Sequence, residues 1–155
     1  MNDSVRTIFH NAVLQEEAAY RMYKEFASKA KTDVLKKLFT QLAEEELGHK
    51  SILKNADIDF LKGLNDSELG ELTLLQDVDK TDLKIEDFAD INNALDLAIK
   101  EEEKAYHDYS IIIRHIEFSK FREAMEAVAQ QELRHKQLLQ KAKLELDDNA
   151  WNVLG

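Results

Sequence analysis

The chain repeats itself, and the repeat limits what it can fold into. Residues 16–23 read EEAAYRMY and residues 102–109 read EEKAYHDY. Residues 43–53 read AEEELGHKSIL and residues 129–139 read AQQELRHKQLL. The offset is 86 residues between the leading Glu pair (102 − 16), the later Glu pair (132 − 46) and the His pair (135 − 49). Ala12/Ala98, Glu17/Glu103, Ala19/Ala105, Tyr20/Tyr106, Tyr23/Tyr109, Leu47/Leu133, Lys50/Lys136, Leu53/Leu139 and Ala56/Ala142 are identical pairs at the same offset. Self-similarity at a fixed offset means that one supersecondary unit occurs twice. Here the matching residues are mainly types with metal-binding chemistry, so the expected product is a duplicated helical hairpin that builds one two-metal site.

The unit is helical because breakers are scarce. The 155 residues contain no Pro and four Gly, which favours long uninterrupted helices and leaves too few turn residues for a sandwich or barrel. Apolar residues recur at helical spacing in four stretches, expected over about 4–30, 33–55, 87–115 and 119–146. Ser4, Thr32 or Asp33, Asp87 and Ser119 are the expected N-caps. Residues 56–86 break the pattern, with Gly63, Gly70 and many Asp. A connection of that length is too long for an ordinary bundle turn. It suits a crossover that lets the second and third helices run parallel, with a short helix near Ser67–Leu75. The fold class is therefore all-α: a single-domain antiparallel four-helix bundle with a long crossover. The tail residues Trp151, Val153 and Leu154 are expected to pack on the crossover or on a neighbouring subunit.

Each apolar stripe carries a polar intruder. Glu16 fills a gap in the first stripe and Glu102 in the third; Glu46 with His49, and Glu132 with His135, fill gaps in the second and fourth. At i and i+3, each Glu-x-x-His presents both side chains on one face. Taking the first turn near residue 31, Glu16 lies 15 residues before it (31 − 16) and Glu46 lies 15 after it (46 − 31). An antiparallel hairpin puts both carboxylates at one height, roughly 22 Å from the turn at about 1.5 Å per residue. A turn near residue 117 does the same for Glu102 and Glu132. Packing the hairpins together converges four carboxylates and two imidazoles, and no Lys or Arg occupies the inner stripe at that level. Buried carboxylates without counter-charge are costly. Two divalent cations balance the four negative charges, and one Glu from each of two helices plus Glu-x-x-His from the other two is the ligand pattern of di-iron carboxylate bundles. Oxygen-rich ligands with two nitrogens suit Fe(II) or Mn(II), and are poor for Cu(I) or structural Zn.

Composition removes other classes. With 31 acidic against 21 basic residues, the net charge of −10 disfavours nucleic acid or an anionic membrane as partner. Cysteine is absent, which excludes disulfides, a thiolate nucleophile, and thiolate-ligated zinc or iron–sulfur centres within these residues. No apolar run approaches the roughly 20 residues of a membrane span, and residues 1–13 lack a signal-peptide pattern. Cytoplasm is the expected location.

Glu, Ala at +3, Tyr at +7 and a Glu-x-x-His about 30 residues on, given twice, resembles the rubrerythrin branch of the ferritin-like superfamily. Glu16, Ala19, Tyr23, Glu46 and His49 carry it in the first half, and Glu102, Ala105, Tyr109, Glu132 and His135 in the second. The resemblance implies that Tyr23 and Tyr109 hydrogen-bond ligand carboxylates; the alternative is that they are core aromatics. It also implies a pair of iron ions that reduces peroxide or O2. Rubrerythrins in the strict sense add a rubredoxin-type iron centre held by cysteines alone, and an extra Glu one turn beyond the third-helix ligand, where this chain has Ala105. The ligand set here is the symmetric four-Glu, two-His type, also similar to that of bacterioferritin.

The expected function is a non-haem di-iron oxidoreductase, using two iron ions (Fe2+/Fe3+) to reduce peroxide or O2. Electrons would come from an external donor, rubredoxin-like or another reductase, and the assembly is expected to be a homodimer. Iron binding and storage without independent turnover, a manganese catalase-like variant, and a metal-free helical interaction module are the alternatives. Around the site, Glu45 and Gln131 are read as solvent-exposed, with orientation of the His rings as the alternative. Gly48 costs about 1 kcal/mol against Ala inside a helix. It is read as a close helix–helix contact, with a bulge or space beside the site as the alternative. His10, His107 and His115 are read as surface or helix-end residues.

Overall fold

The computed structural model describes residues 2–75 and 91–154, with side chains described over 4–75 and 91–145. Among them are five α-helices: α1 (Asn2–Lys29), α2 (Asp33–Lys54), α3 (Asp66–Glu71), α4 (Ile91–Ile113) and α5 (Lys120–Leu154). The four long helices form an all-α, ferritin-like bundle.

Their directions follow from what meets at each pole. At one pole Val5 and Ile8 from the start of α1 pack with Leu53 from the end of α2, Ile112 from the end of α4 and Met125 from the start of α5. At the other pole Phe26 from the end of α1 packs with Phe39 from the start of α2, Leu95 from the start of α4 and Leu139 from the later part of α5. Thus α1/α2 and α4/α5 are antiparallel hairpins, and α2 runs parallel to α4, as the long crossover demands. Each large side chain taken fully out of water here contributes about 1.5–3 kcal/mol. The two apolar clusters leave a polar layer between them, at the mid-height where the intruders sit.

Thr32 caps α2, accepting a hydrogen bond from Leu35 N at 3.2 Å. Ser119 caps α5, its Oγ accepting from Arg122 N at 3.2 Å. Ser4 is not a cap: α1 already begins at Asn2, and Asn2 and Asp3 share the helix-start preference that Ser4 offers. Asp87 and Phe88, expected at the start of the third long helix, lie outside the described residues, as do crossover residues 76–86. The last helix continues to Leu154 instead of stopping near residue 146. No Gly or Pro occurs between residues 120 and 154, so nothing forces an earlier end. The packing expected of Trp151, Val153 and Leu154 lies outside the described side chains.

The described part of the crossover folds back on the first pole. Its helix is α3, one turn and a half long, closed by a capping box in which Asn65 Oδ1 accepts from Glu68 N at 2.8 Å. Gly63 takes the left-handed backbone region with φ 82°, which glycine adopts without Cβ strain. Leu61 pairs with Ile116 in an antiparallel bridge: Lys62 N donates to His115 O and Glu117 N to Phe60 O, each at 2.9 Å. Leu61, Leu64, Leu72 and Leu74 then cap the pole. Two buried polar groups latch the strap down. Asp108 on α4 accepts from Thr73 N at 2.9 Å, Leu74 N at 3.2 Å and Thr73 Oγ1 at 2.5 Å. Asn11 on α1 donates to Leu74 O at 2.6 Å.

Among the described residues, no helix is long and apolar enough to cross a membrane.

Candidate metal centre

The structure brings all six intruders together in the polar layer. Glu16 comes from α1, Glu46 and His49 from α2, Glu102 from α4, and Glu132 and His135 from α5; none is more than 3% exposed. They form two overlapping groups of four: Glu16, Glu46, His49 and Glu132, and Glu46, Glu102, Glu132 and His135. Within each group one donor atom from every residue lies within 4.8 Å of the others. Glu46 and Glu132 belong to both, so each hairpin supplies one shared carboxylate, one carboxylate used once, and one imidazole.

Both imidazoles turn Nδ1 inward. His49 Nδ1 lies 2.6 Å from Glu132 Oε1, 3.6 Å from Glu46 Oε2 and 3.8 Å from Glu16 Oε2. His135 Nδ1 lies 2.9 Å from Glu46 Oε1 and 3.4 Å from Glu102 Oε1. The rings stack across the bundle axis, with centroids 5.7 Å apart and planes 19° from parallel. Short distance is not satisfaction here. Glu16 Oε2, Glu46 Oε2, His49 Nδ1, Glu102 Oε2 and Glu132 Oε1 are buried with no hydrogen-bond partner, so even the 2.6 Å contact is misaligned for a hydrogen bond. Buried polar atoms are almost always paired. Five orphans pointing into one volume are what donors aimed at common cations leave behind, and the residues therefore fit a dinuclear site.

The electrostatics agree. Burial, followed by the neighbouring carboxylates, raises Glu132 well above the usual carboxylate range; burial and Glu46 do the same to Glu16. Burial and Glu46 also raise Glu102. For Glu46 burial opposes the charge, but the neighbouring Glu16 and both imidazoles outweigh it and hold the carboxyl far below the usual range. Burial likewise opposes charge on His49 and His135. Glu16 and Glu46 nonetheless push His49 up to about 11, and Glu102 and Glu46 push His135 up to about 10. Without metal, protons must perform the neutralisation that cations would otherwise provide.

A second layer crosses between the hairpins. Tyr23 on α1 donates to Glu102 Oε1 on α4 at 2.5 Å, and Tyr109 on α4 donates to Glu16 Oε1 on α1 at 2.5 Å. Tyr23 also stacks on Phe39, with centroids 6.5 Å apart, so it is a core aromatic and a carboxylate anchor at once. Glu45 and Gln131 depart from their solvent-exposed reading. Both are half-buried: His135 Nε2 meets Glu45 Oε2, and His49 Nε2 meets Gln131 Oε1 at 2.5 Å. These contacts cross between α2 and α5, which a helical wheel drawn for one hairpin does not show. Reading both positions at the offset of 86 would have flagged them. Glu44, Glu45 and Glu46 thus divide, one to solvent, one to a ring nitrogen and one to the centre.

Gly48 is not a close contact. A Cβ built there meets nothing within 4 Å, and the helix is regular through it, so the space is open. His10 is exposed, His107 lies beside Asp108, and His115 pairs with Glu68; none joins the cluster. Glu17 pairs with Lys50 at 2.9 Å and Glu103 with Lys136 at 3.3 Å, the same bridge in each hairpin.

The sequence model of the Rubrerythrin family matches residues 8–143, which run from Ile8 in α1 to Lys143 in α5 and hold all six central residues. The chain belongs to the rubrerythrin family. No curated protein and no solved structure matches it. Ala105, one turn beyond Glu102, is half-buried against the first-pole core.

Proposed function

We propose that the protein is a di-iron carboxylate oxidoreductase that reduces peroxide or O2. The observation that carries this reading is the sharing of Glu46 and Glu132 between two otherwise separate donor groups. Carboxylates common to both groups would hold two ions, and the oxygen-rich set with two nitrogens suits Fe(II), with Mn(II) as the variant. When bound, an Fe(II) pair would supply two electrons to the oxidant, and an external reductant would restore them; these residues include no cysteine, so a thiolate-ligated relay is not among them.

The side chains prepare the site. Glu46 and Glu132 belong to both donor groups and would be common to the two ions, while Glu16 and Glu102 would each serve one. Tyr109 and Tyr23 fix those two carboxylates by donating to one oxygen, leaving the other oxygen unpartnered and aimed inward. The outer hydrogen bonds of His49 and His135 select the tautomer that leaves Nδ1 free to ligate. Apolar clusters above and below keep water out, which strengthens every electrostatic interaction between them.

Anaerobic titration of the metal-free chain with Fe(II), followed by mixing with peroxide, tests the proposal. It should take up two irons per chain and oxidise them faster than Fe(II) free in the same buffer. Uptake far from two, or oxidation no faster than free Fe(II), would reject it. Size-exclusion chromatography separates it from storage, which would require a large cage.

A further inference from the structure

The two imidazoles are held differently on their outer nitrogens. His135 Nε2 donates to the carboxylate of Glu45, and His49 Nε2 donates to the amide oxygen of Gln131. Glu45 and Gln131 occupy the same place in the repeat (131 − 45 = 86). The tyrosine anchors and the Glu–Lys bridges match between the halves; here one half has a charge and the other has none.

The surroundings follow the same division. Glu45 Oε1 accepts from Gln41 Nε2 at 3.1 Å and from Arg134 Nη1 at 3.4 Å, which leaves Oε2 to the imidazole. The repeat counterpart of Gln41 is Ala127 (127 − 41 = 86), and that of Arg134 is Gly48 (134 − 48 = 86). Both supporting donors are therefore missing on the Gln131 side, and the position of Gly48 opens on space. A carboxylate has been given its two supports; the neutral amide needs none.

We propose that Glu45 makes the two metal positions unequal, so that the position held by His135 fills first and more tightly than the position held by His49. The proposal rests on the dinuclear reading above. An ionised acceptor on Nε2–H draws the proton toward itself and makes the opposite nitrogen, Nδ1, a stronger donor; an amide oxygen does so less. Arg134 offsets the charge of Glu45 on its solvent side, so the effect is local to the hydrogen bond. Glu45 is thus a positioning residue that acts through His135. Losing such a partner lowers metal affinity by about 10–100-fold, which sets the expected separation between the two steps at roughly tenfold or more.

The test uses the full chain and Mn(II), which does not turn over in the absence of oxidant. Calorimetric titration of the wild type should resolve two steps, and anomalous diffraction from crystals given one equivalent of Mn(II) should place most of the metal beside His135. Glu45→Gln should weaken the first step by about tenfold and merge the two. The exchange variant Glu45→Gln/Gln131→Glu keeps composition and charge, and should move the first-bound ion beside His49. Two ions bound in each variant with the order unchanged would overturn the inference while leaving the dinuclear reading intact. Fewer than two ions in the wild type would overturn that reading, and this inference with it.

Discussion

Laid over one another at the offset of 86, the two hairpins agree at the six central residues and their tyrosine anchors, and disagree at the Glu45/Gln131 pair and where the crossover lands. Tyr23 and Tyr109, Leu53 and Leu139, and Ala12 and Ala98 are buried alike in both halves. But Met22, buried in the first hairpin, has Asp108 as its counterpart (108 − 22), and Leu97, half-buried in the second, has Asn11 (97 − 11). These two buried polar residues are the ones that hold Thr73 and Leu74. The departures from the repeat are therefore not noise. A polar group replaces an apolar one where a third segment brings backbone N–H and C=O groups that must be satisfied.

The largest effects are expected at the central carboxylates. Glu46→Gln or Glu132→Gln should empty both metal positions, because each carboxylate is shared, while Glu16→Gln or Glu102→Gln should empty only its own. Metal analysis after dialysis reads the difference. Metal-free Glu132→Gln should also resist urea better than the metal-free wild type at about pH 8, since it relieves a buried charge. If shared and unshared ligands prove equivalent, two separate mononuclear sites are present.

Acidity offers the next contrast, between metal-free and loaded protein. His49 and His135, raised from 6.5 to about 11 and about 10, stabilise the metal-free fold fully below the unfolded value and lose that contribution as pH climbs through their folded values. Glu16, Glu102 and Glu132, raised from 4.5, act with the same sign from their unfolded value upward. Glu46, held low, opposes them only in acid. Metal competes with these protons, so its binding tightens as they leave. The gap in melting temperature between loaded and metal-free protein should therefore widen from about pH 6 to about pH 9; calorimetry showing it shrink would contradict this balance.

At the pole under the crossover, Asp108→Met would make the second hairpin like the first. It strands two backbone N–H groups and a hydroxyl at about 1–3 kcal/mol per unsatisfied group. Urea unfolding should show a loss of about 3 kcal/mol, against under about 1.5 kcal/mol for Met22→Leu at the matched site. The smallest effect belongs to the matched ion pairs on the surface. Lys50→Ala and Lys136→Ala should each cost below about 0.5 kcal/mol, and the same amount as each other; a large difference would mean that one bridge does more than clamp its hairpin.

Helix number, helix directions and the six converging residues could all be read from the sequence, because intruders in an apolar stripe are visible within one helix and the repeat multiplied that contrast. What could not be read arises only when separate segments meet. Glu45 and Gln131 sit on the outer flank of their own helices, and become ring partners once the opposite hairpin arrives. Asp108 looks like an ordinary surface acid until the crossover covers it. The end of α5 was obscured by Asp147, Asp148 and Asn149, which resemble a helix stop but carry no left-handed residue to enforce one. Gly48 looked like a packing contact because a single glycine has the same appearance whether a neighbour fills its space or not.

The crossed tyrosine bonds have a consequence for how the molecule could be divided. Each hairpin's singly used carboxylate is anchored by the other hairpin's phenol, and each donor group draws on both. Cleaved within the crossover, the chain would yield two fragments, neither owning a complete set of ligands, and metal would become the cement that reunites them. A bound ion would then act as a subunit interface folded into one polypeptide.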